Sequence, residues 1–229
     1  MKVELIQATK NAGEFIANIA VICYGKEVAE NPMELLRFLY GNGHHSVFEH
    51  VYYTFRISGI SRACLAQLTR HRHASYTVES QRYTKQKGKC IIPQGLVKSE
   101  NNDLLKSYDE FIKSANVFYE YLLQMGIEKG DARFVLPIAT ATNLYMSCNL
   151  RELLHIAKLR TSKKAQWEIR ELVTEMVRLI MDRSPELEFM FNNLNTGSHN
   201  EFCKVLEERI EYLQEARAVK EKLEKILEY

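Results

Sequence analysis

The chain has 229 residues, of which 46% are hydrophobic and 26% are charged, and its formal net charge at pH 7 is +2. This length suffices for one domain with a substantial core, with or without a small appended element. The small net charge excludes a strong overall field for nucleic acid or an anionic membrane, so any preference for anions must come from local clusters. No stretch approaches the roughly 20 apolar residues of a membrane span, and the charged first residues are unlike a signal peptide.

The first part of the chain predicts two strands and two helices. The strands cover 3–8 and the aromatic, β-branched run 51–57. One helix begins at Asn31-Pro32, because proline suits the first helical position, and the run Gly41-Asn42-Gly43 ends it. The second helix covers 61–69. The side chains expected to face the core from these two helices are Leu35, Leu36, Leu39, Cys64, Leu65 and Leu68.

The second part predicts a basic turn over 85–89, one strand and four helices. The strand covers 138–148, and the helices cover 103–125, 149–160, 164–182 and 202–228. Two of these helices carry an apolar stripe that predicts a buried face. In helix 103–125 the stripe consists of Leu104, Tyr108, Phe111, Val117, Tyr121 and Leu122. In helix 164–182 it consists of Ala165, Ile169, Leu172, Met176 and Ile180. Strands and helices alternate without a regular βαβ rhythm, so the expected fold class is α+β.

The five cysteines are scattered, odd in number and without CxxC spacing. This pattern argues against a disulfide framework and against a structural zinc site. We therefore expect reduced, mostly packed thiols in a cytoplasmic protein.

Residues 70–82 are the most unusual segment, because five basic or imidazole side chains and several hydroxyls fall within thirteen residues. If the preceding helix persists, Gln67, Arg70 and His71 share one helical face, whereas Arg72 points elsewhere. The triplet could then bind two different anions. Guanidinium groups suit phosphates because their planar fork makes bidentate, charge-assisted hydrogen bonds.

Two other interpretations of residues 70–82 remain open at this point, and a third concerns another segment of the chain. The segment could be a solvated charged turn, or a nucleic-acid patch that binds polynucleotides in a strongly salt-dependent way. A nucleic-acid patch predicts more basic residues and exposed stacking aromatics, and Tyr76 and Tyr83 are the only aromatics nearby. A third possibility, without an HExxH pairing to support it, is a divalent-metal hydrolase with the ligands His44, His45, Glu49 and His50.

The same segment matches a specific signature. Arg70-His71-Arg72, seven residues, Ser80, one residue and Arg82 follow the pattern RHR-x7-S-x-R of the flavin-dependent thymidylate synthases. Residues 43–50 resemble that family's GH-x3-FEH segment, 132–137 resemble its AR-x-VLP, and 149–169 resemble its NxR…LR…AQWEI stretch. Order and rough spacing agree over about residues 1 to 190. By this resemblance the chain is identified as a member of the family.

The resemblance implies a single α+β domain over residues 1–195, with a mixed, mainly antiparallel sheet flanked by helices. Residues 196–229 would form an appended charged helix that docks either on its own subunit or on another one. The implied reaction converts dUMP to dTMP. NADPH reduces FAD, 5,10-methylenetetrahydrofolate delivers its methylene, the reduced flavin supplies the hydride, and tetrahydrofolate leaves. The implied assembly is a cytoplasmic homotetramer that shares its FAD sites between subunits and binds neither nucleic acid nor a membrane.

The resemblance also assigns residues to the ligands, and none to a metal. Those assigned to FAD are His44, Ser46, Arg70, His71, Arg72, Glu79, Asn149, Leu150, Arg151 and His155. Those assigned to dUMP are Gln67, Arg70, Glu79, Ser80, Gln81, Arg82, Arg133 and Arg160. Arg160 is the expected catalytic residue, because a cation against the uracil edge favours negative charge on the base when C5 becomes nucleophilic. Ser80 is expected to bind phosphate, since no base stands at an obvious spacing to activate it as a nucleophile.

The chain departs from the family pattern at two places. Val78 stands where many members carry Glu or Gln, and the carboxylate of Glu79 follows one residue later. Lys163-Lys164 replaces a more common polar-histidine pair. No cysteine lies in the Pro-Cys-His setting of the flavin-free thymidylate synthases, so the resemblance implies activation by flavin chemistry rather than by a covalent thiol adduct.

Overall fold

The computed structural model describes residues 1–192 and Leu194. Within this single α+β domain, the described residues group into two compact units. Unit 1 contains residues 1–58, 67–77 and 144–192 with Leu194, and unit 2 contains residues 59–66 and 78–143. The helix predicted over 202–228 and the domain boundary predicted after residue 195 lie outside the described residues.

Four strands form one antiparallel sheet, which confirms the predicted fold class. The strands are β1 (Lys2–Ala8), β2 (Tyr52–Ser61), β3 (Ala74–Val78) and β4 (Ala141–Asn149), in the order β1-β2-β4-β3. In the antiparallel β1–β2 pair, Val3 lies opposite Ile57 and Leu5 opposite Phe55. The strands predicted over 3–8, 51–57 and 138–148 are confirmed. The sequence did not predict β3, because its five residues fall within the Arg/His-rich segment.

The described residues contain nine α-helices. They are α1 (Ala12–Val21), α2 (Pro32–Gly41), α3 (Arg62–Leu68), α4 (Gln94–Lys98), α5 (Asn102–Gln124), α6 (Lys129–Ala132), α7 (Leu150–Arg160), α8 (Trp167–Arg183) and α9 (Glu188–Asn192). Short 3-10 turns cover Ile22–Tyr24, His45–His50, Arg133–Val135 and Pro185–Leu187. The helices predicted within these residues are confirmed. The sequence did not predict α1, because Gly13 and Asn18 lower its helix propensity. In this part of the chain no helix is long and apolar enough to cross a membrane.

The core of unit 1 lies where α8 packs against β1 and α7, and where α1 packs against α2. Ile169, Leu172, Met176 and Ile180 of α8 are fully buried, which confirms the stripe predicted for this helix. Ala165 precedes the helix. Full burial of each large apolar side chain contributes roughly 1.5–3 kcal/mol to stability. This packing gives a rigid support to α7, which carries several of the predicted site residues.

The stripe predicted for α5 in unit 2 is mostly exposed, and only Tyr108 and Leu122 of its residues are half-buried. Phe111 is 61% exposed and Val117 is 69% exposed, whereas Leu105, Ile112 and Tyr119 are buried. The helix carries apolar residues on both sides, so helical periodicity alone could not identify the side that packs. The loop before the helix is tied to the buried side. Tyr119 accepts a hydrogen bond from the backbone N–H of Gln86, and Tyr108 donates one to the carbonyl of Ile91.

Candidate active site

The predicted site residues divide between the two units. Unit 1 contains His44, Ser46, Gln67, Arg70, His71, Arg72, Asn149, Leu150, Arg151, His155 and Arg160, and unit 2 contains Glu79, Ser80, Gln81, Arg82 and Arg133.

The start of the signature segment is a turn rather than a helix. Helix α3 ends at Leu68, and the backbone N–H of His71 donates to the Leu68 carbonyl at 3.1 Å. The condition for Gln67, Arg70 and His71 to share one helical face is therefore not met. The hydroxyl of Tyr76 lies 2.9 Å from the carbonyls of both Leu68 and His71, so β3 fastens this turn. Burial raises the pKa of Tyr76, which keeps its hydroxyl protonated as the donor.

His71 is buried in unit 1 between the exposed side chains of Arg70 and Arg72. Its Nε2 accepts a hydrogen bond from Nε of Arg160 at 3.0 Å. Burial, together with the neighbouring Arg160, His155 and Arg70, lowers the pKa of His71 to about 4. The imidazole is therefore neutral at pH 7. Because Nε2 accepts, the ring proton must lie on Nδ1.

Helix α7 surrounds this imidazole with polar groups. Nδ1 of His71 lies 3.9 Å from Oε1 of Glu152, which is beyond hydrogen-bond length. The rings of His71 and His155 are in edge contact, with centroids 6.1 Å apart. Glu152, His155 and Arg160 thus follow one side of α7, and all three approach His71. The helix therefore orients the imidazole, and its Arg160 and His155 add to the effect of burial that lowers the pKa of the ring.

The first residues of α7 are occupied by structural contacts. Oδ1 of Asn149 caps the helix by accepting from the backbone N–H of Glu152 at 2.8 Å. Leu150 is fully buried, and its backbone N–H donates to the Val51 carbonyl at 2.8 Å. Arg151 is exposed and forms an ion pair with Glu49. The amide nitrogen of Asn149 and the outer nitrogens of Arg151 are the groups here that suit a ligand.

His44 and Ser46 are exposed at the start of the 3-10 turn His45–His50. The ring of His44 stacks with that of Phe38, with centroids 6.2 Å apart. Among the described residues, no group of three or more His, Cys, Asp or Glu side chains is placed to hold a metal ion.

In unit 2, a tight turn follows Glu79. Oγ of Ser80 accepts from the backbone N–H of Arg82 at 3.2 Å, and the Ser80 carbonyl accepts from both the backbone N–H and the hydroxyl of Thr84. Gln81 is half-buried within the turn. The geometry gathers a hydroxyl, backbone N–H groups and a guanidinium within three residues, which suits an anion.

Two of the predicted arginines converge on Gly130. Nε of Arg133 donates to the Gly130 carbonyl at 3.0 Å. A Cβ at position 130 would lie 3.7 Å from Cγ of Arg82 and 3.9 Å from its Nε. Nζ of Lys129 donates to the carbonyl of Tyr83 at 3.1 Å and ties the turn to the same segment. Unit 2 therefore concentrates positive charge beside the Ser80 turn, as expected for a phosphate site.

Sequence reasoning missed Arg62 and Asn143. A terminal nitrogen (NH2) of Arg62 donates to the Glu79 carbonyl at 2.8 Å, and Nδ2 of Asn143 donates to Oε2 of Glu79 at 2.6 Å. These two residues lie 17 and 64 positions from Glu79 in sequence. No spacing rule connects them, so only the tertiary structure identifies them.

Comparisons with known proteins identify the family of this chain. The sequence model of the thymidylate synthase complementing protein family matches residues 4–186. The flavin-dependent thymidylate synthase of Haloarcula marismortui is 36% identical over 188 residues, covering 71% of this chain and 76% of the relative. That of Pyrococcus horikoshii is 38% identical over 197 residues, covering 80% of each chain. The chain belongs to the flavin-dependent thymidylate synthase family. The membership predicted from the signature is thereby confirmed.

A solved structure shares the fold. The UMP/dUMP methylase PolB from Streptomyces cacaoi, bound with 5-Br dUMP, aligns with a TM-score of 0.74 and 26% sequence identity. The alignment covers 83% of this chain and 93% of PolB. The family match spans every predicted site residue, from His44 to Arg160.

The residues of unit 1 fit the flavin that the family name implies. Arg70 and Arg72 are exposed and form no ion pair with the residues that the structure describes, so both guanidiniums are available to the phosphates of FAD. The neutral imidazole of His71 between them adds no further repulsion. His155 is exposed next to His71 and suits an aromatic or polar part of the cofactor.

Proposed function

We propose that the chain catalyses the reductive methylation of dUMP to dTMP, with 5,10-methylenetetrahydrofolate as carbon donor and NADPH-reduced FAD as hydride source, releasing tetrahydrofolate. Family membership and the likeness to PolB support the reaction class. The observation that carries the proposal within the chain is the way in which a buried, neutral His71 holds Arg160.

Arg160 is arranged to stabilise negative charge on a flat ligand. Its Nε is fixed by His71 at 3.0 Å, and its two terminal nitrogens form no hydrogen bond within the described part of the chain. The free fork suits the carbonyl edge of uracil, where negative charge develops as C5 becomes nucleophilic. Because the orientation exists before the ligand binds, little reorganisation is needed during the reaction.

His71 must be neutral to do this. A protonated imidazole could not accept the Arg160 N–H bond and would repel the guanidinium. The burial that lowers the pKa of His71 is therefore part of how Arg160 is positioned.

For the phosphate of dUMP, the supporting observation is the turn of unit 2. The hydroxyl of Ser80, the backbone around Gln81, and the guanidiniums of Arg82 and Arg133 offer donors of the type that phosphate oxygens accept. We assign Gln67 and Arg70 to the same ligand by family resemblance.

For FAD, we assign the phosphates to Arg70 and Arg72, with His71 and His155 beside them. Bound flavin supplies the hydride that completes the methyl group. The other positions that we assign to the cofactor by resemblance are His44, Ser46, Asn149, Leu150 and Arg151.

We also propose a cytoplasmic homotetramer with FAD sites shared between subunits. The exposed apolar side of α5, which includes Leu104, Phe111 and Val117, supports a subunit contact, because isolated proteins rarely expose large apolar patches. The thiols of Cys64 and Cys148 are buried and reduced, which agrees with a reducing compartment.

The test is anaerobic dTMP formation from dUMP, methylenetetrahydrofolate and NADPH, with and without added FAD, and with UMP in a parallel reaction. We expect product from dUMP that depends on both FAD and NADPH. No product from a chain that carries bound flavin would contradict the proposed reaction. A colourless protein with salt-dependent polynucleotide binding would favour a nucleic-acid patch, and activity lost to chelators would favour a metal enzyme.

A further inference from the structure

Glu79 is held at three points within unit 2. Its backbone N–H donates to the Asn143 carbonyl at 2.9 Å, and its own carbonyl accepts from Arg62 at 2.8 Å. Its Oε2 accepts from Nδ2 of Asn143 at 2.6 Å. Asn143 is itself anchored, because its Oδ1 accepts from the backbone N–H of Gly59 at 3.2 Å. Asn143 therefore holds one oxygen of the Glu79 carboxylate through a hydrogen bond at the protein surface.

The position of Arg62 is energetically unfavourable. Its Nε is buried and has no hydrogen-bond partner, a defect that costs about 1–3 kcal/mol. An apolar side chain at the start of α3 would avoid this cost. An unsatisfied buried donor in a native structure calls for an explanation. The contact with the Glu79 carbonyl supplies one if that carbonyl must be held in place.

Arg62 lies near charges of both signs. Burial lowers the pKa of Arg62, the carboxylate of Glu79 opposes this effect, and the nearby cation Arg133 adds to it. Two guanidiniums that repel each other are stabilised when a dianion binds beside them.

Glu79 directly precedes the residues proposed to bind phosphate. Ser80 and Arg82 share a hydrogen bond, and Lys129 holds the far end of the turn through the Tyr83 carbonyl. The turn is thus fastened at both ends, by Glu79 on one side and by Tyr83 on the other. Such fastening fixes where the donors of the turn point.

We propose that Arg62, Glu79 and Asn143 form a positioning cluster that holds the 80–82 turn in its phosphate-binding shape. Ser80 and Arg82 touch the phosphate, and the cluster acts through them. The carboxylate of Glu79 then has a structural role, in place of the direct FAD and dUMP contacts that family resemblance assigned to it. The identity of the phosphate as that of dUMP rests on the proposed function.

The sharpest test exchanges the donor and the acceptor of the hydrogen bond between Asn143 and Glu79, which at 2.6 Å is the shortest in the cluster. Asn143→Asp places two carboxylates in contact, so the dissociation constant and KM for dUMP should rise by roughly tenfold. The kcat and the flavin absorbance spectrum should stay unchanged. Adding Glu79→Gln to this variant restores a donor and an acceptor in reversed order, and dUMP binding should return to within about threefold of the wild type.

The single change Glu79→Gln separates positioning from direct contact. An amide oxygen still accepts from Asn143, so this variant should bind dUMP and FAD nearly as the wild type does. If Glu79 contacts either ligand through its charge, both Glu79→Gln and the double variant lose affinity, and the proposal is wrong.

Arg62→Met tests the contact between Arg62 and the Glu79 carbonyl. Loss of the bond to the Glu79 carbonyl should raise the dissociation constant for dUMP by roughly tenfold, while the weaker binding of deoxyuridine, which lacks the phosphate, stays the same. The matched control is Arg56→Met on β2, since Arg56 is exposed and lies 4.0 Å from its partner Glu4. It should bind dUMP normally.

The outcomes distinguish the cluster from the proposed function. If the wild type binds dUMP but makes no dTMP, the proposed function fails and the binding series still decides the cluster. Unchanged dUMP affinity in Asn143→Asp and Arg62→Met overturns the cluster even when dTMP is made. The cluster is also overturned if adding Glu79→Gln to Asn143→Asp restores neither the dUMP affinity nor the thermal midpoint of unfolding.

Discussion

Replacing His71 by glutamine should change how the stability of the protein depends on pH. In the folded protein the pKa of His71 is lowered to about 4 by burial and by nearby cations, whereas an unfolded chain has the ordinary value of about 6.5. Below pH 6.5 the unfolded state therefore binds more protons than the folded state. Stability from this group is fully present above pH 6.5 and is lost as the pH falls toward 4.

The size of the loss follows from the two pKa values. Between pH 8 and pH 5 the protein should lose about 2 kcal/mol of unfolding free energy through His71, and by pH 4 the loss should reach about 3 kcal/mol. Glutamine carries an amide oxygen that can accept from Nε of Arg160 without titrating. His71→Gln should therefore lose about 2 kcal/mol less than the wild type between pH 8 and pH 5.

The assay is urea unfolding of the cofactor-free protein at pH 8, 7, 6 and 5, with wild type and variant at the same concentration. Subtracting one curve from the other removes the carboxylates and other groups that also titrate. His50→Gln, a change at an exposed histidine, serves as the control and should follow the wild type. Parallel curves for wild type and His71→Gln would refute both the lowered pKa and the neutral imidazole beside Arg160.

Three other changes test the site and the fold. Arg160→Ala should abolish dTMP formation while the flavin absorbance of the purified protein remains, and full activity would exclude the role given to Arg160. Arg82→Ala should raise the KM for dUMP by the equivalent of about 1.5–3 kcal/mol, the contribution of a charged hydrogen bond, and an unchanged KM would count against phosphate binding. In urea unfolding, Ile112→Ala should cost roughly 2–5 kcal/mol, because Ile112 is buried. Phe111→Ala, on the exposed side of α5, should cost less than about 1 kcal/mol. A larger cost for Phe111→Ala than for Ile112→Ala would show that the side predicted from the sequence is the one that packs.

Local patterns predicted much of the fold. The stripe of α8 repeats at helical spacing, and this spacing identified Ile169, Leu172 and Ile180 as core. Periodicity failed for α5, where both sides carry large apolar residues and only the packing of unit 2 selects one. Strand β3 was missed because its residues belong to a motif selected for chemistry.

The candidate site divides in the same way. The arginines, histidine and serine of the signature lie within thirteen residues, so their spacing could be recognised without a structure. The partners of Glu79 could not be recognised, because Arg62 and Asn143 are distant in sequence and reach it only in the folded chain.

The sequence by itself determined the family and predicted a set of ligand-binding side chains, because both depend on residue types at short, fixed spacings. The tertiary structure decided the state of those side chains. His71 is neutral because folding removes it from water beside Arg160. Glu79 accepts a hydrogen bond from Asn143 because folding brings the two residues together. Protonation and hydrogen bonding depend on distances of a few ångströms between groups that lie far apart along the chain, and only the fold sets those distances.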